Sequence, residues 1–225
     1  MCDERKKLIR RQARSKRSER RRRVDAAQAV CTHTPGNSFE SPDELSSEIR
    51  PEGFALLDAW KGLLSALGLS SCELFPALFL PTPTEPDIRL LFTTVSRCLV
   101  PALVGENGSR LSDPAWAQWD ASSRGAPPRP HEVLGETLGA DALAEADIVL
   151  LPALAVDEDG TRIGQGGGWY DRALRHARPG APIVAVIFDD EWSAQPLPRL
   201  SHDIPVDAVV TPSGFRILAS DLSSV

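Results

Sequence analysis

Residues 147–188 read DIVLLPALAVDEDGTRIGQGGGWYDRALRHARPGAPIVAVIF. Two short apolar runs, DIVLLP and PIVAVIF, enclose a polar turn, a cluster of glycines and a helix-like stretch. Neither run alternates apolar with polar residues, as a strand with one wet face does. Continuous apolar character at this length fits strands buried on both faces, as in a parallel sheet covered by helices. The pattern predicts strands at 148–151 and 183–188, with a helix over about 169–178 between them. Further out it predicts strands at 74–80 (closed off by Pro81 and Pro83), 99–104 and 208–210, and a helix over about 131–145. Residues 52–68 carry Phe54, Leu56, Leu57, Trp60, Leu63, Leu64 and Leu67 on an apolar stripe ending at Gly68, a further helix. Helix and strand alternate, so the expected class is α/β: a three-layer, mostly parallel sheet with helices on both faces.

The chain is 225 residues, 42% hydrophobic and 25% charged. That excludes wholesale disorder and a fibrous repeat, and it suits one domain over 1–225. No apolar run approaches the roughly 18–20 residues that span a bilayer, and no apolar signal-peptide core follows the N-terminal Met-Cys-Asp-Glu. Cys2, Cys31, Cys72 and Cys98 are scattered, without a C-x-x-C pair. This argues against a metal or disulfide framework and for a reducing cytoplasm. Residues 31–50 and 105–130, rich in Pro, Gly, Asn and Ser, read as loops.

Charge is unevenly placed. The net charge is −6, yet residues 1–23 hold 12 of the 25 lysines and arginines and only three acids, which leaves them at +9 and the remainder at −15. Residues 4–30 contain neither Pro nor Gly and read as one long, mostly polar helix. Three readings are open for a basic helix beside an acidic body. It docks on its own domain, it neutralises nucleic-acid phosphates, or some of its cations hold the phosphates of a small ligand. The acidic body and the lack of aromatic residues in the arm weigh against nucleic acid.

The segment Arg162-Ile-Gly-Gln-Gly-Gly-Gly-Trp-Tyr-Asp-Arg172 is the most informative for chemistry. Gly164, Gly166, Gly167 and Gly168 remove side chains where backbone must approach a partner or take positive φ. Their N–H groups, with those opening the next helix, suit an anion. Arg162 and Arg172 add positive charge, and Asp171 suits Mg2+ held together with phosphate oxygens. The same residues also fit a tight loop without a ligand, Asp171 being offset by Arg172. The pattern is neither a Walker A loop nor the dinucleotide fingerprint in its usual place. No Cys/His or Ser/His/Asp arrangement of credible spacing is present.

The run GQGGGWYDR, preceded by LPALAVDEDGTRI, resembles the signature of the 5-formyltetrahydrofolate cyclo-ligase family. Lys6 and Arg10 in KKLIR are similar to that family's N-terminal Lys-x-x-x-Arg. Phe79-Leu80 followed by Glu85-Pro86-Asp87 resembles its folate-facing strand and acidic turn. Asp203 in SHDIPVDAVVTP resembles the first acid of its C-terminal Asp-x-x-x-Asp segment. Gln165 and Gly167 stand where some members carry basic residues, Trp169 where Tyr is usual, and against this family residues 31–50 look like an insertion.

This resemblance implies a layered fold like that of sugar-phosphate isomerases and CoA transferases. It also implies an ATP-dependent closure of 5-formyltetrahydrofolate to 5,10-methenyltetrahydrofolate, giving ADP and phosphate. By the same resemblance Lys6, Arg10, Arg162, Gly164, Gln165, Gly166, Gly167, Gly168, Trp169 and Tyr170 bind ATP, and Arg162 and Tyr170 serve the chemistry. Leu80 and Glu85 border the folate together with Gln165, Gly166, Gly167, Gly168 and Trp169, and Asp171 and Asp203 hold Mg2+. The expected partner is the folate, polyglutamylated or not, with no nucleic acid and no membrane, and the expected state is a cytoplasmic monomer. Two alternatives stay open: a nucleic-acid-associated module using the basic arm, and an ATP-independent sugar-phosphate isomerase/CoA-transferase-like enzyme. Trp116 and Trp119 either stack on the pterin or pack in the core.

Overall fold

A computed structural model describes residues 2–31, 49–70, 73–105, 107–124, 127–132 and 135–218. Helix α1 (Cys2–Cys31) and helix α2 (Pro51–Ala66) precede strands β1 (Arg97–Pro101) and β2 (Trp116–Asp120) and the one-turn helix α3 (Ala121–Arg124). Strands β3 (Val149–Pro152), β4 (Ala155–Asp157) and β5 (Arg162–Ile163) lead to the short helix α4 (Trp169–Ala173). Strands β6 (Ile183–Val186), β7 (Trp192–Ser193), β8 (Ala208–Thr211) and β9 (Gly214–Ile217) follow.

The centre is a sheet in the order β3-β6-β8-β9, parallel except for the β8–β9 hairpin. The antiparallel ribbon β1–β2 joins it through a single residue, Ala77, which bridges in parallel to Leu99 on one side and Val149 on the other. The predicted strand 74–80 is therefore present only as that bridge. Pro76 has no N–H to donate, but its carbonyl accepts from Leu99 N–H. Both faces of the parallel strands are dry, and alternate residues feed different cores. Ile148, Leu150, Val184, Val186, Ala208 and Val210 join α2 on one side. Val149, Leu151, Ala185, Ile187 and Val209 face Leu143, Ala146, Ala173 and Leu174 on the other. This is why the runs read as unbroken apolar stretches.

The two faces are covered unequally. On one, α2 buries Leu56, Trp60, Leu63 and Leu64. On the other lie, among the described residues, short pieces: the 3₁₀ turns Ala140–Glu145 and Leu174–His176 together with α4. The helix expected over 131–145 is thus corrected to the turn Ala140–Glu145. His131 (φ 65°) and Gly135 (φ 87°) take left-handed backbone that an α-helix cannot accommodate. The expected helix 169–178 is five α-helical residues continued by a 3₁₀ turn. The stretch 105–130, expected as loop, contains β2 and α3. Of the expected insertion, residues 32–48 lie outside the described residues.

A second, three-stranded sheet, β5-β4-β7, carries α1. The apolar contribution of α1 here is small: Ala13 and Ile9 meet Leu154, Ala155, Ile163 and Leu197. Full burial of a Leu or Val side chain is worth about 1.5–3 kcal/mol, so α2 is held by its stripe and α1 is not. Charge holds α1. Arg17, 2% exposed, is gripped by Glu191 at 2.6 and 2.7 Å and donates to Ala153 O. Arg20 and Lys16 reach Asp190 at 2.6 and 3.5 Å, and the Arg20 guanidinium sits 3.8 Å from the Phe188 ring centre. The basic arm docks on its own acidic body.

Candidate active site

The β4–β5 hairpin launches the glycine segment. Asp157 closes its turn, accepting N–H bonds from Asp159, Thr161 and, across the chain, Leu197. Gly160 is required there: its φ is +69°, and a Cβ would lie 2.2 Å from Val206 O. The hairpin presents Arg162, whose guanidinium donates to Ile204 O and pairs with Asp171 Oδ1. Gly164–Gly168 then pass beneath α1, where Arg10 Nε donates to Gly164 O at 2.9 Å. Gly166 has φ +99°, and the Arg10 guanidinium packs 3.4 Å from where its Cβ would be.

A cleft of about 490 Å³ opens over this loop, and all fourteen residues singled out in the sequence line it. Lys6 and Arg10 descend from α1, Leu80 and Glu85 come from the segment after the Ala77 bridge, and Asp203 comes from the turn before β8. Lys6, Glu85 and Arg162 are 4, 5 and 7% exposed, so the cleft wall carries nearly dry charge.

Asp171, Asp203 and Glu85 in the wall are each engaged. Lys6 Nζ bonds Asp203 Oδ2, which also accepts from Leu200 N–H at 2.6 Å. Burial opposes the charge on Asp203, but those two hydrogen bonds and the Lys6 charge outweigh it and hold its carboxyl below the usual range. Glu85 Oε2 accepts Thr82 N–H at 2.9 Å. Burial, reinforced by the nearby Glu85 charge, pushes the Tyr170 phenol up, so it is neutral and a donor at physiological pH. Among the described residues no three His, Cys, Asp or Glu side chains converge as a metal site.

The anion-binding capacity lies in the loop itself. Among the described residues the N–H groups of Gly166, Gly167 and Gly168 have no protein acceptor. Helix α4 is too short to add much dipole, a correction to the role expected for its start. The aromatic residues beside the loop are locked edge to face: Trp116 on Trp169 at 5.2 Å and Trp169 on Tyr170 at 4.9 Å. Trp116 thus backs the cleft wall, while Trp119 packs on Phe92 in the core.

Sequence reasoning missed Arg50. Its guanidinium donates to the carbonyls of Pro83 and Glu85, and its N–H donates to Asp87, which Arg89 clamps through both oxygens. It also missed His131 and Arg110 in the lining. Arg50 had no motif to mark it.

The model of the 5-formyltetrahydrofolate cyclo-ligase family matches residues 78–212. The chain belongs to this family. A 5-formyltetrahydrofolate cyclo-ligase of Mycolicibacterium smegmatis is 34% identical over 166 residues, covering 69% of this chain and 81% of the relative. The fold is similar to the NMR structure of Aquifex aeolicus 5,10-methenyltetrahydrofolate synthetase, with TM-score 0.63, 22% identity, and 96% and 93% of the two chains covered. It is also similar to a 5,10-methenyltetrahydrofolate synthetase from Mycoplasma pneumoniae, with TM-score 0.55, 16% identity, and 91% and 97% covered. These two likenesses bear on the fold, and the family membership rests on the sequence. The α/β class is as expected. Among the described residues no helix is long and apolar enough to cross a membrane.

Proposed function

We propose that this protein closes 5-formyltetrahydrofolate to 5,10-methenyltetrahydrofolate at the expense of ATP, in the cleft between α1 and the glycine loop. The observation that carries this reading is the convergence of Lys6, Arg10, Arg162 and three acceptorless backbone amides on one wall, with Glu85 and Leu80 in the same cavity. A formamide oxygen is a poor leaving group. Its attack on the γ-phosphorus breaks the bond to ADP and leaves an iminium phosphate. N10 then attacks the formyl carbon, the N10 proton is lost, and phosphate departs with the original oxygen.

Such chemistry needs no protein nucleophile; it needs alignment and neutralisation of spreading charge. Arg162 and the loop amides meet the transferring group, Lys6 and Arg10 the remaining phosphates, and the neutral Tyr170 hydroxyl donates to an oxygen of the reacting centre. Glu85 accepts hydrogen bonds from the pterin, with Leu80 and Trp169 against its ring. Mg2+ fits this wall as an ion carried on the nucleotide, since it takes one or two carboxylates and fills its shell with phosphate oxygens and water. Asp171 and Asp203 would supply those carboxylates beside their partners Arg162 and Lys6, and the ion would neutralise phosphate charge.

The reading extends to one domain over 1–225 with a layered sheet of the isomerase/CoA-transferase kind, a cytoplasmic monomer acting on a small folate and on neither nucleic acid nor membrane. Seven of the twelve cations in residues 1–23 (Arg5, Lys6, Arg10, Arg14, Lys16, Arg17 and Arg20) already engage the body or the loop, which supports this over the nucleic-acid alternative. The test is direct: protein, Mg·ATP and 5-formyltetrahydrofolate are mixed and methenyltetrahydrofolate absorbance is followed. Product formed only with ATP is expected. A flat trace from folded protein rejects the reading, and product without ATP rejects the phosphoryl-transfer step.

A further inference from the structure

The glycine loop is held by its carbonyls. Arg14, on α1, donates through Nη2 to Gln165 O at 2.6 Å and through Nε to Gln165 Oε1 at 3.1 Å. Arg172, on α4, donates through Nη1 to Gly167 O at 3.1 Å and through Nη2 to Ser112 O at 3.4 Å. Neither arginine lines the cleft, whereas Gln165, Gly166, Gly167 and Gly168 all do. In a trans peptide the C=O of one residue and the N–H of the next point in opposite directions, and among the described residues there is no cis bond. Fixing Gln165 O from outside the cleft therefore turns the N–H of Gly166 inward, and fixing Gly167 O does the same for Gly168. Both of these N–H groups lack a protein acceptor among the described residues.

We propose that Arg14 and Arg172 are positioning residues: by holding the carbonyls of Gln165 and Gly167 from behind, they aim the N–H groups of Gly166 and Gly168 at the phosphates of the bound nucleotide. The proposal rests on the reading of this cleft as a triphosphate site. It also gives Gln165 a role. Where a basic side chain is absent from the loop, a guanidinium from α1 grips the loop backbone instead. Left alone, a loop with glycines at 164, 166, 167 and 168 rotates its peptides freely, and the donors lose their preorganisation.

The test uses the full chain with Arg14 or Arg172 replaced by Leu or by Gln. Glutamine lacks the charge but keeps an N–H donor for the same carbonyl, so it separates peptide orientation from electrostatic attraction. Calorimetry gives the dissociation constant of a non-hydrolysable ATP analogue, and kinetics give KM for ATP and for 5-formyltetrahydrofolate. Arg14→Leu and Arg172→Leu are expected to raise both the analogue constant and the KM for ATP about tenfold, the worth of one hydrogen bond to a charged donor. The KM for the folate should stay unchanged, and the Gln variants should stay within about threefold of the parent. Leu variants that bind the analogue as the parent does overturn the proposal. So do Gln variants that lose as much as Leu, since charge alone is then at work. If the unaltered protein binds no ATP analogue, the reading of the cleft itself fails, and that result is distinct from either of these.

Discussion

Replacing Arg17 by Met tests what holds the basic helix down. The Arg17 side chain is 1% exposed and that of Glu191 2%, and two N–H···O bonds of 2.6 and 2.7 Å join them. With Arg17 gone, Glu191 keeps, among the described residues, only the Phe188 N–H at 3.0 Å and becomes a buried, unpaired carboxylate. Breaking such a pair from one side costs about 3–5 kcal/mol, or a Tm lower by roughly 6–20 °C in a chain of this size. The double variant Arg17→Met/Glu191→Leu should recover part of the loss. Arg17 Nη1 is buried without a partner, so the native pair carries an unmet donor that two apolar side chains do not. Against that stand the orphaned Phe188 N–H and the Ala153 carbonyl that loses its Arg17 donor, which leave the double variant about 1–3 kcal/mol below the parent. Urea denaturation of the parent, both single variants and the double variant gives the coupling directly. A loss under about 1 kcal/mol for Arg17→Met, or a double variant as unstable as the two singles added, refutes the claim that a buried charge pair anchors α1.

A Cβ on Gly167 would have no neighbour within 4 Å, so Gly167→Val should leave the melting temperature unchanged while raising the KM for ATP, because the new side chain enters the cradle. Gly160→Ala, by contrast, should destabilise the protein, since it meets Val206 O in a left-handed turn; a melt equal to the parent's contradicts this. Glu85→Gln is expected to raise the KM for 5-formyltetrahydrofolate and spare that for ATP, and steady-state kinetics with each substrate varied will show whether it does. The Asp203 carboxyl is held below its ordinary value in the folded state, so its contribution is full at neutral pH. That contribution declines as pH falls through the unfolded value of about 4 and is gone below the folded one. Asp203→Asn should flatten this acid limb of the stability profile; an unchanged limb assigns the acid sensitivity elsewhere.

The parallel strands were legible because both their faces are buried, so Ile148–Leu151 and Val184–Ile187 had no polar residue to confuse the reading. Strand β2 was hidden: only Gln118 of Trp116–Asp120 is exposed, the strand is five residues long, and Ser, Pro and Gly surround it. The spacing of Leu138, Ala142 and Ala146 imitates a helix, yet Gly139 in extended conformation starts a mere 3₁₀ turn. At the site, glycines and a motif brought the right residues to one cavity. Arg14, Arg17 and Arg50 were not legible, because their importance lies in carbonyls and carboxylates up to 174 positions away. Local pattern cannot show which of twelve N-terminal cations finds them.

The sequence distance between α1 and its acidic partners bears on how the protein is made. Lys6 is synthesised 197 residues ahead of Asp203, and Arg17 174 ahead of Glu191. At about 5–20 residues per second, the nascent basic helix waits roughly 10–40 s for its counter-charges. Throughout that interval it is a cationic segment beside an anionic ribosome, and it seals the cleft only after β7 and the turn before β8 have emerged.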